Sequence, residues 1–198
     1  MKEQLIISVG REFGSGGHEI AQKLADHYHL PLYDHNLLDE MAEKHGMDKE
    51  LLKELDEKKR NKFLSRTVRG MSNSPEHNVA QLQFDFIKQK AEEGKSFVIV
   101  GRCSETVLRE HPAMISFFIL GDMDEKIKRI MRLHQMSKSQ AEELIQEKDR
   151  KRKKYHNSHC EGKWGDSRNY EMSINSSKLG IDESVKIITQ YIDARRAQ

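Results

Sequence analysis

The chain has little net charge of either sign: 34 lysines and arginines almost balance 32 aspartates and glutamates, leaving a formal +2. That balance removes any global electrostatic case for a nucleic-acid or membrane-surface partner, so none is expected and charge must act locally. Cysteine is scarce as well. Cys103 and Cys160 are the only two, far apart in sequence, and cannot make a disulfide framework. The first residues enter an apolar run with no signal-peptide pattern, so a reducing cytoplasm is the expected location. Long apolar runs are missing too: none approaches the roughly 20 residues that span a bilayer. Internal repeats and low-complexity tracts are absent. The 198 residues suit one domain, 1–198, large enough to bury a core.

What is present is a set of short apolar runs separated by helical patterns. Leu5 to Val9, Phe97 to Val100 and Ile115 to Leu120 read as strands buried on both faces, with a shorter one at Met172 to Asn175. Ile20, Ala21, Leu24, Ala25 and Tyr28 share one helical face. Phe84, Phe86, Ile87 and Ala91 mark a helix ending near Gly94, and Val185, Ile188, Tyr191 and Ile192 a C-terminal one. This alternation predicts an α/β fold, a parallel sheet flanked by helices on both faces, with ligands at the carboxyl ends of the strands. Two stretches break the regularity. Asp56 to Asn78 is polar, carries breakers at Ser72, Asn73, Ser74 and Pro75, and reads as a mobile connection whose Arg60, Arg66 and Arg69 are within reach of a phosphate. Lys138 to Asn169 changes from acidic to strongly basic at Asp149 to Lys154 and reads as a mobile lid on a helical stem.

The first strand empties into Arg11-Glu12-Phe13-Gly14-Ser15-Gly16-Gly17-His18-Glu19. Glycines there let consecutive N–H groups turn inward around an anion at the start of a helix. The loop is therefore a candidate phosphate cradle, Gly14 through Glu19; the alternative is a turn that merely lets strand and helix pack. The lysine that a P-loop carries after its last glycine is missing in either register, since Gly17 or His18 stands there. A cation must come from elsewhere: Arg11, Lys23, Arg102, Arg150 and Arg152 are candidates, or His18 if protonated. His156, His159 and Cys160 have ligand chemistry but no clear fourth group for zinc. Cys103, with no histidine near it in sequence, reads as a buried thiol, and Trp164 as a packing residue.

Several segments together resemble the cytidylate kinase-like branch of the nucleoside monophosphate kinases, which are P-loop proteins: Arg11 to Gly17, Pro31-Leu32-Tyr33-Asp34, Val98-Ile99-Val100-Gly101-Arg102, Lys163-Trp164-Gly165-Asp166 with Asn169-Tyr170, and Ile174 to Asp182. The resemblance implies ATP on the glycine loop, Mg²⁺ with its ligands left open, an acceptor-binding insertion at about 35–95 and a lid at about 138–169. It implies that Arg102 contacts the acceptor. Asp149 and Arg152, three apart on one helical face, match the lid's Asp-x-x-Arg spacing. Arg102, Arg150, Arg152 and Asp149 are thus the candidate catalytic residues, and Asp34, Arg102 and Arg11 the candidate acceptor-binding ones. Arg102 alternatively makes a structural ion pair; Asp34 either orients Mg²⁺ through water or caps a helix starting near Asn36. Lys151, Lys153 and Lys154 read as a solvated face. Cys103 replaces the aspartate of the family's Gly-Arg-Asp motif and Ile145 an arginine of its lid, so cytosine recognition is not carried over with the rest. The expected activity is ATP-dependent phosphoryl transfer to a small acceptor, most simply CMP or dCMP. The alternatives are a non-nucleotide acceptor, or a regulatory nucleotide-binding module without transfer.

Overall fold

The computed structural model describes residues 3–34, 37, 67–68, 71–72 and 75–197. Its centre is β1 (Ile6–Arg11), whose first five residues are buried, as the continuous apolar run requires. Around it, β2 (Leu32–Tyr33), β5 (Phe97–Val100), β6 (Met114–Leu120) and β7 (Met172–Asn175) make one sheet in the order β2-β5-β1-β6-β7. Every pairing in it is parallel. A separate antiparallel pair of two-residue strands joins β3 (Thr67–Val68) to β4 (Met71–Ser72).

Pleating sends alternate residues to opposite faces. Ile7 and Val9 pack with Ile20 and Leu24 of α1 (Gly17–Tyr28) and with Ile188 and Ile192 of α6 (Ser176–Arg196). Ile6, Phe97 and Ile99 pack with Phe86 and Ile87 of α2 (Pro75–Glu92). Helices therefore cover both faces, and β1 and β5, neighbours in the sheet, end side by side. There β5 turns into the short α3 (Ser104–Val107).

One expectation needs correction. Pro75, read as a breaker, opens α2; a proline is suited to a first helical turn, where its missing N–H is no loss. The polar connection thus stops short of 75, and Arg60, Arg66 and Arg69 lie outside the described residues. Within the stretch 138–169, α5 (Lys138–His159) runs unbroken for 22 residues from a Ser137–Gln140 capping box. Ala141 and Ile145 seat it against Ile127 and Ile130 of α4 (Met123–His134). Ile145 is fully buried. An arginine there would lose water without a partner, which accounts physically for the departure at that position.

Candidate active site

At the end of β1 the chain enters the glycine loop, and Gly14 and Gly16 take left-handed conformations, φ 84° and 79°. The loop is tied down from several sides. The Asp149 carboxylate on α5 accepts the Phe13 N–H at 2.6 Å, and Ser176 Oγ donates to the Ser15 carbonyl at 2.5 Å. Lys126 of α4, almost fully buried, reaches Glu12 at 3.0 Å and Asp149 at 3.3 Å, while Glu12 also accepts the Gly121 N–H at 3.1 Å. Burial raises the Asp149 pKa, opposed by the Phe13 N–H and then by Lys126. Asp149 therefore holds the loop as well as its neighbour Arg152, 3.8 Å away.

Lys126 was not a sequence candidate. Its signal is a lysine sharing a helical face with Ile127 and Ile130, which a solvated lysine would avoid. Lys126→Met is expected to lower folding stability by about 3–5 kcal/mol, because Glu12 would lose its cation and Asp149 would keep only Arg152, at 3.8 Å. Urea denaturation checks this.

Three of the candidate arginines come together beside this loop. Arg11, at the end of β1, lies 3.9 Å from Asp34 just after β2. Arg152 donates to the Arg11 carbonyl at 3.2 Å and stacks over the Phe13 ring. Burial lowers the Arg11 pKa; repulsion from Arg152 and Arg102 adds to this, against the attraction of Asp34. Guanidinium groups remain charged near neutrality, so the cost of crowding is held in the site. Asp34 also meets His18 Nδ1 at 3.0 Å.

Arg102 follows β5 in a strained turn. Gly101, Arg102 and Cys103 are all left-handed, φ 73°, 58° and 55°, and for the two side-chain-bearing residues this costs roughly 1–2 kcal/mol each. The turn lets Arg102 face Gln83 of α2 at 3.3 Å, and Tyr155 of α5 donates to the same Gln83 oxygen at 3.4 Å. Gln83, fully buried, escaped the sequence reading because a lone glutamine in an amphipathic helix carries no pattern.

The other candidates disperse. Arg150 is exposed on α5, Lys23 pairs with Asp182 at 3.0 Å, and Glu19 pairs with Arg129 of α4 at the start of α1. Gly17 packs against Arg11: a Cβ at 17 would overlap the Arg11 Cβ and sit 3.1 Å from its Cγ. In the register that sets Gly17 at the place of the P-loop lysine, that place is filled from the strand side by an arginine stem. On the far side of the loop, Gly14 and Ser15 line a cleft of about 420 Å³ with Lys128, Arg129 and Arg132 of α4 and with Ser177 and Ile181 of α6. Glu125 lines it too and pairs with Lys128 at 2.7 Å, so the wall, also missed in sequence, is net cationic.

These features place the protein in a class. A parallel sheet of this order with a glycine loop after its central strand defines a P-loop kinase fold, and solved structures share it. Shikimate kinase from Bacteroides thetaiotaomicron is 14% identical with a TM-score of 0.55, covering 96% of this chain and 98% of its own. Shikimate kinase from Acinetobacter baumannii, in complex with shikimate, is 13% identical with a TM-score of 0.55, covering 100% and 97%. The chain belongs to the cytidylate kinase-like family, which it matches over residues 6–178. An uncharacterized protein from Eubacterium ventriosum ATCC 27560 is 43% identical, TM-score 0.74, covering 96% of this chain and 99% of its own. No curated protein matches the chain. Among the described residues no helix is long and apolar enough to cross a membrane.

Proposed function

We propose that the protein transfers the γ-phosphoryl group of ATP to a small anionic acceptor, most simply a nucleoside monophosphate of the CMP or dCMP type. The observation that carries this reading is the convergence of Arg11, Arg102 and Arg152 at the open ends of β1 and β5, with Asp34 as their counter-charge. Phosphoryl transfer needs positive charge on the migrating group and an in-line pair of oxygens more than it needs covalent help. The donor phosphates would lie along the glycine loop, with the nucleotide in the cleft walled by Lys128, Arg129 and Arg132. An oxygen of the acceptor phosphate attacks the γ-phosphorus, the bond to the bridging oxygen breaks, and ADP leaves. That nucleophile is ionised at neutral pH and requires no general base. Asp34 is a carboxylate beside the arginines that could hold a Mg²⁺ ion, and a bound Mg²⁺ would neutralise charge on the phosphates. Arg152, carried by α5, would neutralise the group in flight, and Arg102 would orient the acceptor.

A second reading keeps the donor side and changes the acceptor to one with a hydroxyl. The His18–Asp34 pair at 3.0 Å favours it, since an imidazole oriented by a carboxylate is a general base for a hydroxyl proton. ADP formation from Mg²⁺-ATP, measured with CMP, dCMP, UMP, AMP, GMP, a set of polyols and small hydroxy acids, and no acceptor, separates the readings. Dependence on one monophosphate supports the first, dependence on a hydroxyl compound the second. ATP binding without ADP formation across the panel would point to a regulatory nucleotide-binding module.

The arginine cluster has a consequence that does not need the substrate. Inorganic pyrophosphate is expected to raise the melting temperature, by about 2.7 kcal/mol of added stability at a hundred times its Kd. Arg152→Ala should lose most of the shift while its own melting temperature without ligand falls little. Equal shifts in both proteins would remove Arg152 from the anion site.

A further inference from the structure

We propose that Cys103, His156 and Cys160 form a transition-metal site, with Zn²⁺ the best-matched ion, that clamps the end of α5 to the turn carrying Arg102. The inference is independent of the phosphoryl-transfer reading. The sequence offered His156, His159 and Cys160 and no clear fourth group; the fold rearranges that set. His159 turns to Tyr155 and Phe84, and Cys103, 53 residues before His156, takes its place. One ligand atom from each of Cys103, His156 and Cys160 lies within 4.8 Å of the other two.

The geometry is close to a coordination shell. Zinc–sulfur bonds of about 2.3 Å and zinc–nitrogen bonds of about 2.0–2.1 Å place tetrahedral ligand atoms roughly 3.5–3.8 Å apart, so closing the triangle takes movements of about 1 Å or less. His156 and Cys160 are four apart at the C-terminus of α5, where Cys160 caps the helix by donating its N–H to the His156 carbonyl at 2.9 Å. Cys103 and His156 are buried, and the partly exposed Cys160 leaves a way in for the ion. Behind them Glu105, itself buried, lies 2.7 Å from His156 Nε2. A carboxylate against a ligating imidazole fixes its ring and raises its basicity, the usual support of a metal-binding histidine.

The donor set narrows the ion. Two thiolates and one imidazole are borderline-soft and suit Zn²⁺ better than the hard Mg²⁺ of a phosphate site. On binding, the two thiols release their protons to solvent as two sulfur–metal bonds form, and the imidazole binds through an unprotonated nitrogen, giving an overall neutral centre. Three protein ligands leave the fourth position to water. Mechanically the ion would join α5, which carries Asp149 and Arg152, to the strained Gly101–Cys103 turn, which carries Arg102. Both arginines would then be referred to one fixed point.

The test uses the full chain, reduced with a phosphine and stripped of metal by a chelator, titrated with Co²⁺. The expected result is a thiolate-to-cobalt charge-transfer band with the intense visible bands of tetrahedral cobalt, saturating at one ion per chain and abolished by Zn²⁺. Cys103→Ser and Cys160→Ser should each weaken the charge-transfer band, and His159→Ala should leave it unchanged. Should a serine variant fail to fold, the wild type alone decides: Zn²⁺ should protect Cys160 from iodoacetamide, read by mass spectrometry. Absence of the charge-transfer band at saturating Co²⁺, or alkylation of Cys160 at the same rate with and without Zn²⁺, would overturn the proposal.

Discussion

Arg102→Ala is expected to lower acceptor-dependent turnover roughly 10³-fold while leaving the fold intact. Arg102 stands at the carboxyl end of β5 in a left-handed conformation that only surrounding structure can hold. Gln83 receives one of its donors, and Tyr155 fixes that glutamine from α5, so the fork is aimed before any ligand arrives. Preorganised charge of this kind acts in the transition state without reorganisation, which is why its loss falls mainly on kcat. The side chain is only partly buried, so its removal opens no large cavity and the melting curve should change little. Arg102→Lys should recover only a small part of the rate, since an ammonium keeps the charge and loses the planar pair of donors. Wild-type turnover in Arg102→Ala would remove this residue from the mechanism.

Gly17→Lys, which restores the side chain that most P-loops carry, is expected to reduce activity by roughly 10²-fold. A Cβ at 17 overlaps the Cβ of Arg11 and lies 3.3 Å from that of Ile119, and neither is the free end of a flexible chain. The new side chain must therefore push Arg11 away from Asp34 and away from the carbonyl contact with Arg152, at a packing cost of about 1–3 kcal/mol. The double substitution Gly17→Lys with Arg11→Gly removes the overlapping atom and should recover activity relative to Gly17→Lys alone. A single Gly17→Lys variant more active than wild type would show that Arg11 does not occupy the lysine's place.

The strands were legible because a sheet covered on both faces demands continuous apolar runs, and β1, β5 and β6 are written that way. The glycine loop was legible because backbone geometry, not context, selects its residues. Which arginine meets the loop was less so. Arg11, Arg102 and Arg150 look alike in one dimension, and only strand order, with β5 beside β1, brings the first two together and leaves the third exposed on α5. Gln83 and the meeting of Cys103 with His156 depend on contacts between elements far apart in the chain, for which a single sequence holds no local signal, and the helical face of Lys126 marks it as buried without naming its partners Glu12 and Asp149. Ile145 shows the reverse case. Its departure from the lid pattern was visible at once, but its cause, the packing of α5 on α4, needed the fold.

The central claim is that arginines gathered around a lysine-free loop pass a phosphoryl group from ATP to an acceptor, and the most direct measurement follows the phosphorus itself. With γ-labelled ATP, Mg²⁺ and the acceptor that promotes ADP formation, the label is expected to appear in the phosphorylated acceptor at the rate at which ADP accumulates, and to be lost in Arg102→Ala. Label found only in inorganic phosphate, or retained in ATP with every acceptor tried, would contradict it.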